Sequence, residues 1–371
     1  MSLSTSTSYS PTVLGVGGRG IVLTKPFECI NPSSSRTQRK SSSSSNTKTK
    51  NRRNSPTPKD KEIVIKLSFG DHAVREYGFM KELPQGKKYP YAQIRDIDLC
   101  QVKMCDSTMK KLKKLKEKGA VSQEWVDDFI ESQDNIWQLF MPRLGNRSVL
   151  EILTSKQMPS FYRGVFLKNS RSKLNANYLS VKQLCHLFHH FSSLLKIIFE
   201  LNERNLFHHD LKPNNIMCDV DKKGHISKMW LIDFDNSKGV VTNRPSWVFE
   251  AKNQDTIDFF NNVVLLSLYV ACSNKEIYDN LYFLIEKVNV FCHEIRNEEN
   301  WSNLKTKASS LMDQIIDTAE NMEEPTRNEY IDVALYAAKI PIAKQRENGR
   351  IFREKNEMGL HDKSLFQTRI F

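Results

Sequence analysis

The chain has 371 residues, of which 39% are hydrophobic and 26% are charged, and this composition is typical of a globular protein with a sizeable core. Its formal charge of +12 is carried by two segments, because residues 31–61 hold nine Lys or Arg against one Asp, and residues 110–118 hold six Lys against one Glu. Since the remainder is close to neutral, the charge argues against nucleic acid as the main ligand and leaves the two basic segments as candidate contacts for acidic partners.

The seven cysteines are scattered, without a C-x-x-C pair and without a zinc-like spacing to histidine. They predict free thiols in a reducing, intracellular compartment, either cytoplasmic or nuclear. The apolar runs are shorter than the roughly 18 residues that a membrane span requires, so no membrane span is expected.

The first part of the chain predicts strands that are interrupted by one polar insertion. Residues 1–12 are rich in Ser and Thr and are expected to be disordered, and the glycine-rich "VLGVGGRGIVL" follows at 13–23. Residues 31–61 are of low complexity and lack an apolar period, which indicates a flexible insertion. The β-branched run in "EIVIKLSF" at 62–69 predicts the next strand.

The later part of the chain predicts mostly helices. A basic helix is expected to begin at Asp106 or Ser107, and "NIWQLFM" at 135–141 predicts a further strand. The best helix signal follows Ser180, where apolar residues recur every three or four positions. Two short strands come next, and the pattern is then helical, so the sequence indicates an α+β fold.

Four short motifs that carry polar or glycine-rich chemistry occur in one order along the chain. They are "GVGGRGIV" at 15–22, "IVIK" at 63–66, "HHDLKPNN" at 208–215 and "WLIDFDN" at 230–236. In order and spacing these motifs resemble those of the eukaryotic-type protein kinase superfamily, and the resemblance covers residues 13–272.

The resemblance implies a bilobal fold, with a small β-rich lobe at 13–145 and a larger helical lobe at 146–371. It implies ATP as phosphoryl donor, Mg²⁺ or Mn²⁺ as cofactor, and Ser/Thr hydroxyls of a protein substrate as acceptors. The compact segment after the last motif looks similar to that of kinases from large DNA viruses, which would place the protein in a host cell.

The first lobe is expected to hold the nucleotide. The residues implied to bind it are Gly15, Gly17, Gly20, Val22, Lys66, Met141 and Arg143. The glycines would let the backbone approach phosphates, and the backbones of Met141 and Arg143 would meet adenine, with Phe140 at the rear of its pocket. Lys66 would be oriented by a carboxylate, for which Glu76 is the expected partner and Glu82 the alternative.

The second lobe is expected to carry the transfer chemistry. Asp210 would orient the acceptor hydroxyl, and Lys212 would neutralise the transferred phosphoryl group. Asn215 and Asp233 would bind the metal. The carboxylate that braces the catalytic loop is expected to be Asp258, with Asp255 as the alternative. Asp235 stands where the superfamily has glycine and is expected to face the surface.

Departures from the superfamily pattern keep other functions open. No A-P-E motif lies between Asp233 and Asp258, and His209 replaces the arginine of the catalytic motif. A small-molecule kinase of the choline or aminoglycoside type is the alternative, since "IDFD" resembles the metal motif of those enzymes, whereas Lys212 in "LKP" favours a protein kinase. A catalytically weak, nucleotide-binding scaffold is the third hypothesis, and the retained lysine, aspartates and asparagine argue against it.

Overall fold

A computed structural model of the chain describes residues 11–17, 20–30, 62–117, 123–132, 135–153, 179–222, 224–239, 245–272 and 275–325. The predicted insertion at 31–61 lies outside the described residues, as does nearly all of the predicted disordered start. The chain is divided into two compact units. The first contains residues up to Leu144 together with Asp233–Ser237, and the second contains Gly145–Ile232 and the chain from Lys238 onward.

Strands dominate the first unit and helices the second, so the predicted α+β class is confirmed. The strands are β1 (Val13–Gly17), β2 (Gly20–Leu23), β3 (Ile63–Phe69), β4 (Asp98–Gln101), β5 (Ile136–Pro142), β6 (Arg147–Ser148), β7 (Leu206–Phe207), β8 (Ile216–Val220), β9 (Ile226–Leu231) and β10 (Lys238–Gly239). The α-helices are α1 (Gly70–Glu82), α2 (Asp106–Glu117), α3 (Gln123–Glu131), α4 (Val149–Leu153), α5 (Val181–Glu203), α6 (Pro245–Asp258), α7 (Leu265–Ala271), α8 (Lys275–Glu294) and α9 (Trp301–Glu320). A π-helix, Phe259–Val264, joins α6 to α7.

The sheet of the first unit has the strand order β1-β2-β3-β5-β4, with every pair antiparallel. Side chains alternate along β3 and give the sheet two different faces. Ile65 and Leu67 lie in an apolar core that includes Leu112 of α2 and Phe129 of α3. Lys66, between them in sequence, is on the opposite face and is turned toward α1.

Cys29 and Cys100 form a disulfide, so the prediction of free thiols is wrong for this pair. The two residues are 71 positions apart, and the chain at Cys29 pairs with Val102, just beyond β4. Gln138 of β5 donates hydrogen bonds from Nε2 to both sulfurs, at 3.3 Å for Cys29 and 3.2 Å for Cys100. The spacing along the chain could not reveal this pair, because the strand order of the sheet brings it together.

The long helix predicted after Ser180 is α5, and a capping box fixes its first turn. Ser180 Oγ accepts a hydrogen bond from the backbone N–H of Gln183, and Gln183 Oε1 accepts one from the N–H of Ser180. The periodic apolar side chains of α5 are buried, and α9 packs along this helix. Among the helices that the structure describes, none is both long enough and apolar enough to cross a membrane.

Candidate functional site

Lys66 of β3 is surrounded by three carboxylates within the first unit. Its Nζ lies 2.9 Å from Oε2 of Glu76, contacts Oδ1 of Asp233 still more closely, and lies 3.5 Å from Oδ2 of Asp235. Glu76, on α1, is therefore the partner of Lys66, and the alternative Glu82 is not. Lys66, Glu76 and Asp235 are all buried.

The carboxylates around Lys66 have a larger combined effect on its pKa than burial has. Burial alone would lower the pKa of Lys66, but the charges of Glu76, Asp233 and Asp235 outweigh it and raise that pKa far above its ordinary value. Burial raises the pKa of the Glu76 carboxyl, and the neighbouring ammonium of Lys66 opposes that effect. Lys66 thus stays cationic over the whole physiological pH range.

Asp235 is buried, with 6% of its surface exposed, so the expectation that it faces the surface is wrong. The chain turns immediately after it, because the N–H of Ser237 donates to the carbonyl of Phe234 at 3.1 Å. This turn keeps the Asp235 carboxylate beside Lys66. No signal in the sequence indicated the burial of Asp235, since the side chain of a residue just after a strand can point to the core or to solvent.

The carboxylates around Lys66 carry more negative charge than one ammonium can balance, and they fit a divalent cation. Mg²⁺ prefers oxygen ligands and takes only one or two carboxylates alongside phosphate and water oxygens. Asp233 and Asp235 supply such carboxylates. The residues that the structure describes contain no group of three or more His, Cys, Asp or Glu side chains that would hold a metal unaided.

Phe234 fixes α1 against the cluster. Its backbone N–H donates to Oε1 of Glu76 at 3.2 Å. Its ring stacks on Phe79 of α1, with the ring centroids 5.8 Å apart, and meets the ring of Tyr91 edge-on at 6.0 Å. The position of Glu76, and with it the orientation of Lys66, therefore depends on the packing of this aromatic side chain.

The register of β3 and β5 contradicts the expected position of Phe140. Phe140 pairs with Ile65 and lies in the apolar core, on the face opposite Lys66, so it cannot form the rear of a pocket on the Lys66 side. Met141 pairs with Val64, which places its side chain on the Lys66 face.

The pairing of β5 with β3 also uses one of the backbone groups that were predicted to contact adenine. The N–H of Arg143 donates to the carbonyl of Glu62 at 2.7 Å and is not available to a base. Backbone groups alternate in direction along an antiparallel strand, so the carbonyl of Pro142 points away from β3 where those of Met141 and Arg143 do not.

The glycine-rich motif forms the β1–β2 hairpin, in which Gly17 pairs with Gly20. Val22 pairs with Lys66, so its side chain shares the Lys66 face. The two outer glycines differ in their surroundings. A Cβ at Gly15 would meet nothing within 4 Å, whereas a Cβ at Gly20 would lie 2.3 Å from the carbonyl oxygen of Leu67.

The "HHDLKPNN" segment of the second unit gathers its polar side chains around one carboxylate. Asp210 Oδ2 accepts hydrogen bonds from Nζ of Lys212 at 2.7 Å and from Nδ2 of Asn215 at 2.9 Å. The same Nδ2 also donates to the backbone carbonyl of Asp210 at 2.9 Å. Because the amide nitrogen is used in this way, Oδ1 is the atom of Asn215 that can bind a metal.

Asp255 of α6 braces this loop, so the expectation that Asp258 does so is wrong. Asp255 accepts hydrogen bonds from the backbone N–H of His208 at 2.9 Å and of His209 at 2.8 Å. The ring Nε2 of His208 lies 3.0 Å from the carbonyl oxygen of Ile232. Asp258 instead accepts a hydrogen bond from the side chain of Gln254 at 2.7 Å.

Burial raises the pKa of Asp255 to about 6, and the two backbone N–H donors partly offset this effect. Burial also raises the pKa of Asp258 to about 7, and the neighbouring charges of Asp255 and Asp210 add to the increase. The carboxyl groups at the end of α6 therefore hold protons more tightly than free aspartate does.

Asn262 is a loop contact that the sequence did not reveal. It lies in the π-helix, and its Nδ2 donates to the carbonyl of Leu211 at 3.0 Å. A π-helix inserts one extra residue into a helical turn and often occurs at functional sites. Only the "NN" pair in an otherwise apolar helix hinted at a polar role here.

The loop braced by a helix carboxylate and the lysine–glutamate pair are both features of kinase-like folds. Residues 83–240 match the ecdysteroid kinase-like family. The matched range contains the Asp210 loop and Asp233, and it ends before α6. No curated protein matches the chain. The match supports phosphotransfer by a kinase-like fold related to the protein kinase superfamily, and it favours a small-molecule kinase over a Ser/Thr protein kinase. It lends no support to a viral origin.

Proposed function

We propose that the protein transfers the γ-phosphoryl group of ATP to a hydroxyl of a small-molecule alcohol. The observation that carries phosphotransfer is the convergence of Lys212 and Asn215 on one oxygen of Asp210. The acceptor class rests on the family match, whose name points to polyhydroxylated steroids as the first compounds to test.

The residues of the first unit take the donor side of the reaction. Lys66, oriented by Glu76, binds the phosphates of ATP, and the β1–β2 hairpin covers them. Asp233 and Asp235 of this unit supply carboxylate oxygens suited to Mg²⁺. When bound, the metal neutralises charge on the transferred phosphoryl group.

The residues of the second unit take the acceptor side. Asp210 orients the acceptor hydroxyl and receives its proton as the oxygen attacks the γ-phosphorus. The bond from the γ-phosphorus to the bridging oxygen breaks, and ADP leaves with the electron pair. Lys212 stabilises the negative charge beside Asp210.

A Ser/Thr protein kinase is the second candidate, and one residue favours it. Lys212, in the "LKP" sequence, occurs where related small-molecule kinases usually lack a lysine. A protein acceptor is therefore tested in the same experiment.

The experiment measures label from γ-labelled ATP in 20-hydroxyecdysone, choline, an aminoglycoside and casein. We expect label in the steroid and a loss of at least about a hundredfold in Asp210→Asn, which lacks the proton acceptor. Asp313→Asn, an exposed change on α9, is the matched control and should keep full activity. Label in casein alone would overturn the acceptor class, and folded protein that labels nothing would overturn phosphotransfer.

A further inference from the structure

The second unit contains a cavity of about 360 Å³ that is lined by none of the residues given a part in phosphotransfer above. It is formed by the first turns of α5, the segment from β6 into α4, and the turn between β8 and β9. Its volume falls within the range of roughly 300–1,000 Å³ that is typical of small-molecule sites.

The cavity has an apolar floor and a polar rim. Leu187 and Ile226 are buried at its base. The rim side chains are Arg147, Gln183, His186 and His225. A pocket of this kind binds a ligand with an apolar body and one polar group, because the floor removes apolar surface from water and the rim orients the polar end.

The rim presents hydrogen-bond donors that are not used within the described part of the chain. Gln183 engages its Oε1 in the capping box, and no described residue accepts from its Nε2. The guanidinium of Arg147 has no carboxylate or carbonyl partner among the described residues. His186 contacts the ring of His225, with the centroids 6.1 Å apart.

The lining of the cavity contains one arginine, Arg147, which favours an anionic ligand. Carboxylates also lie nearby: Asp221 Oδ2 is 3.4 Å from Nδ1 of His225, and Glu151 accepts a hydrogen bond from the N–H of Ser148, the residue after Arg147. Arg147 supplies a fixed positive charge, and arginine binds carboxylates and phosphates through paired N–H donors. Residues 154–178 lie outside the described residues. They contain five Lys or Arg and no Asp or Glu, so no side chain of that segment can act as the anionic ligand.

We propose that this cavity is a second ligand site, which binds a small organic anion with a compact apolar body. The anionic group lies on Arg147 and Nε2 of Gln183, and the apolar body lies on Leu187 and Ile226. A phosphate monoester and a carboxylate share this chemistry.

Three probes distinguish a phosphate from a carboxylate head group: 1-naphthyl phosphate, 1-naphthoate and the neutral 1-naphthol. Each is titrated into the full chain by isothermal calorimetry, with Mg²⁺ and a non-hydrolysable ATP analogue present throughout so that the nucleotide cannot compete. We expect one anion to bind at one site per chain and 1-naphthol to bind at least about tenfold more weakly, which corresponds to about 1.4 kcal/mol. The stronger of the two anions identifies the head group.

Two substitutions place the ligand in this cavity. Arg147→Ala should weaken anion binding about tenfold. Gln183→Glu keeps the oxygen that caps α5 but replaces the donor with a charge that repels an anion, so it should abolish binding. Arg204→Ala, at the other end of α5, is the matched control and should bind like the wild type.

Three outcomes would overturn the proposal: no heat with the wild type, equal binding of 1-naphthol, or unchanged binding in Arg147→Ala. A thermal melt of each variant shows that it is folded. Because the readout is binding, the result does not depend on whether the protein transfers phosphate.

Discussion

The carboxylate of Asp255 accepts a hydrogen bond from the backbone N–H of His209, which has a φ of +58°. A non-glycine residue in this left-handed region is strained by about 1–2 kcal/mol, so its backbone must be held by neighbouring groups. Asp255 also accepts from the N–H of His208. One side chain of α6 therefore holds the backbone N–H groups of the two residues that immediately precede Asp210.

We expect Asp255→Asn to impair turnover more than folding. The asparagine NH₂ group would face one of two backbone N–H donors, and the loop before Asp210 would lose its position. We predict a fall in kcat of at least about tenfold, with little change in KM for ATP. The free energy of unfolding at pH 8 should change by less than about 2 kcal/mol, because removing a buried charge offsets the lost hydrogen bond.

Asp258→Asn is the control for this test, since Asp258 bonds to Gln254 and not to the loop backbone. It should keep kcat within a few-fold of the wild type. Equal losses of kcat in the two variants would contradict the role given to Asp255.

The Lys66 cluster should show strong coupling in a double-mutant cycle. Lys66→Met leaves Glu76, Asp233 and Asp235 without their cation, and breaking a buried ion pair lowers the free energy of unfolding by about 3–5 kcal/mol. Adding Glu76→Gln removes one buried charge and should restore part of that loss, although both proteins would be inactive. Urea unfolding at pH 7 measures the effect, and strictly additive changes would argue against the cluster.

Gly20 and Gly15 form a matched pair for testing the hairpin. Gly20→Ala forces a Cβ against the carbonyl of Leu67 and should lower the free energy of unfolding by about 1–3 kcal/mol. Gly15→Ala has open space and should leave stability unchanged. Thermal and urea unfolding measure the stability of the two variants. Equal stability would show that β2 can move away from β3 to admit a Cβ at residue 20 without lowering the free energy of unfolding.

Asp258 should make stability depend on pH. Burial raises its pKa to about 7 in the folded protein, whereas an unfolded chain releases that proton near the ordinary value of about 4. The folded state therefore binds more protons between these values, so this contribution is complete below pH 4 and is lost as the pH rises through 7.

We expect the difference in unfolding free energy, Asp258→Asn minus wild type, to grow by about 1–3 kcal/mol between pH 5 and pH 8. Because the charges of Asp255 and Asp258 interact, the difference reports the titration of Asp258 together with its effect on Asp255. Asp279→Asn, an exposed change on α8, should show no such trend. A flat difference for Asp258→Asn would mean that this carboxyl is ionised throughout.

The sequence predicted the parts of the site that depend on local pattern. The spacing within "HHDLKPNN" brought Asp210, Lys212 and Asn215 together, because a short loop fixes the separation of its own side chains. The strand that contains Lys66 and the helix after Ser180 were also predicted, since burial on one face imposes a repeat of two or of 3.6 residues.

Other parts depend on contacts that local pattern does not encode. Asp255 and Asp258 lie three residues apart on one helix, so periodicity alone could not choose which of them faces the loop. Phe140 was expected on the wrong face of the sheet, because side-chain direction along β5 follows from its register with β3, and a shift of one residue exchanges Phe140 for Met141. The burial of Asp235 depends on a turn that forms only once the strand has ended.

The bond between Cys29 and Cys100 has a consequence for the integrity of the chain. Residues 31–61 separate β1 and β2 from β3, so a single cut anywhere in that stretch would divide the protein into two polypeptides. The disulfide would still link the shorter polypeptide to the longer one, and reducing agent would be needed to release it. Electrophoresis of a nicked sample should therefore give one band without reductant and two bands with it, because only reduction releases the polypeptide that carries the β1–β2 hairpin.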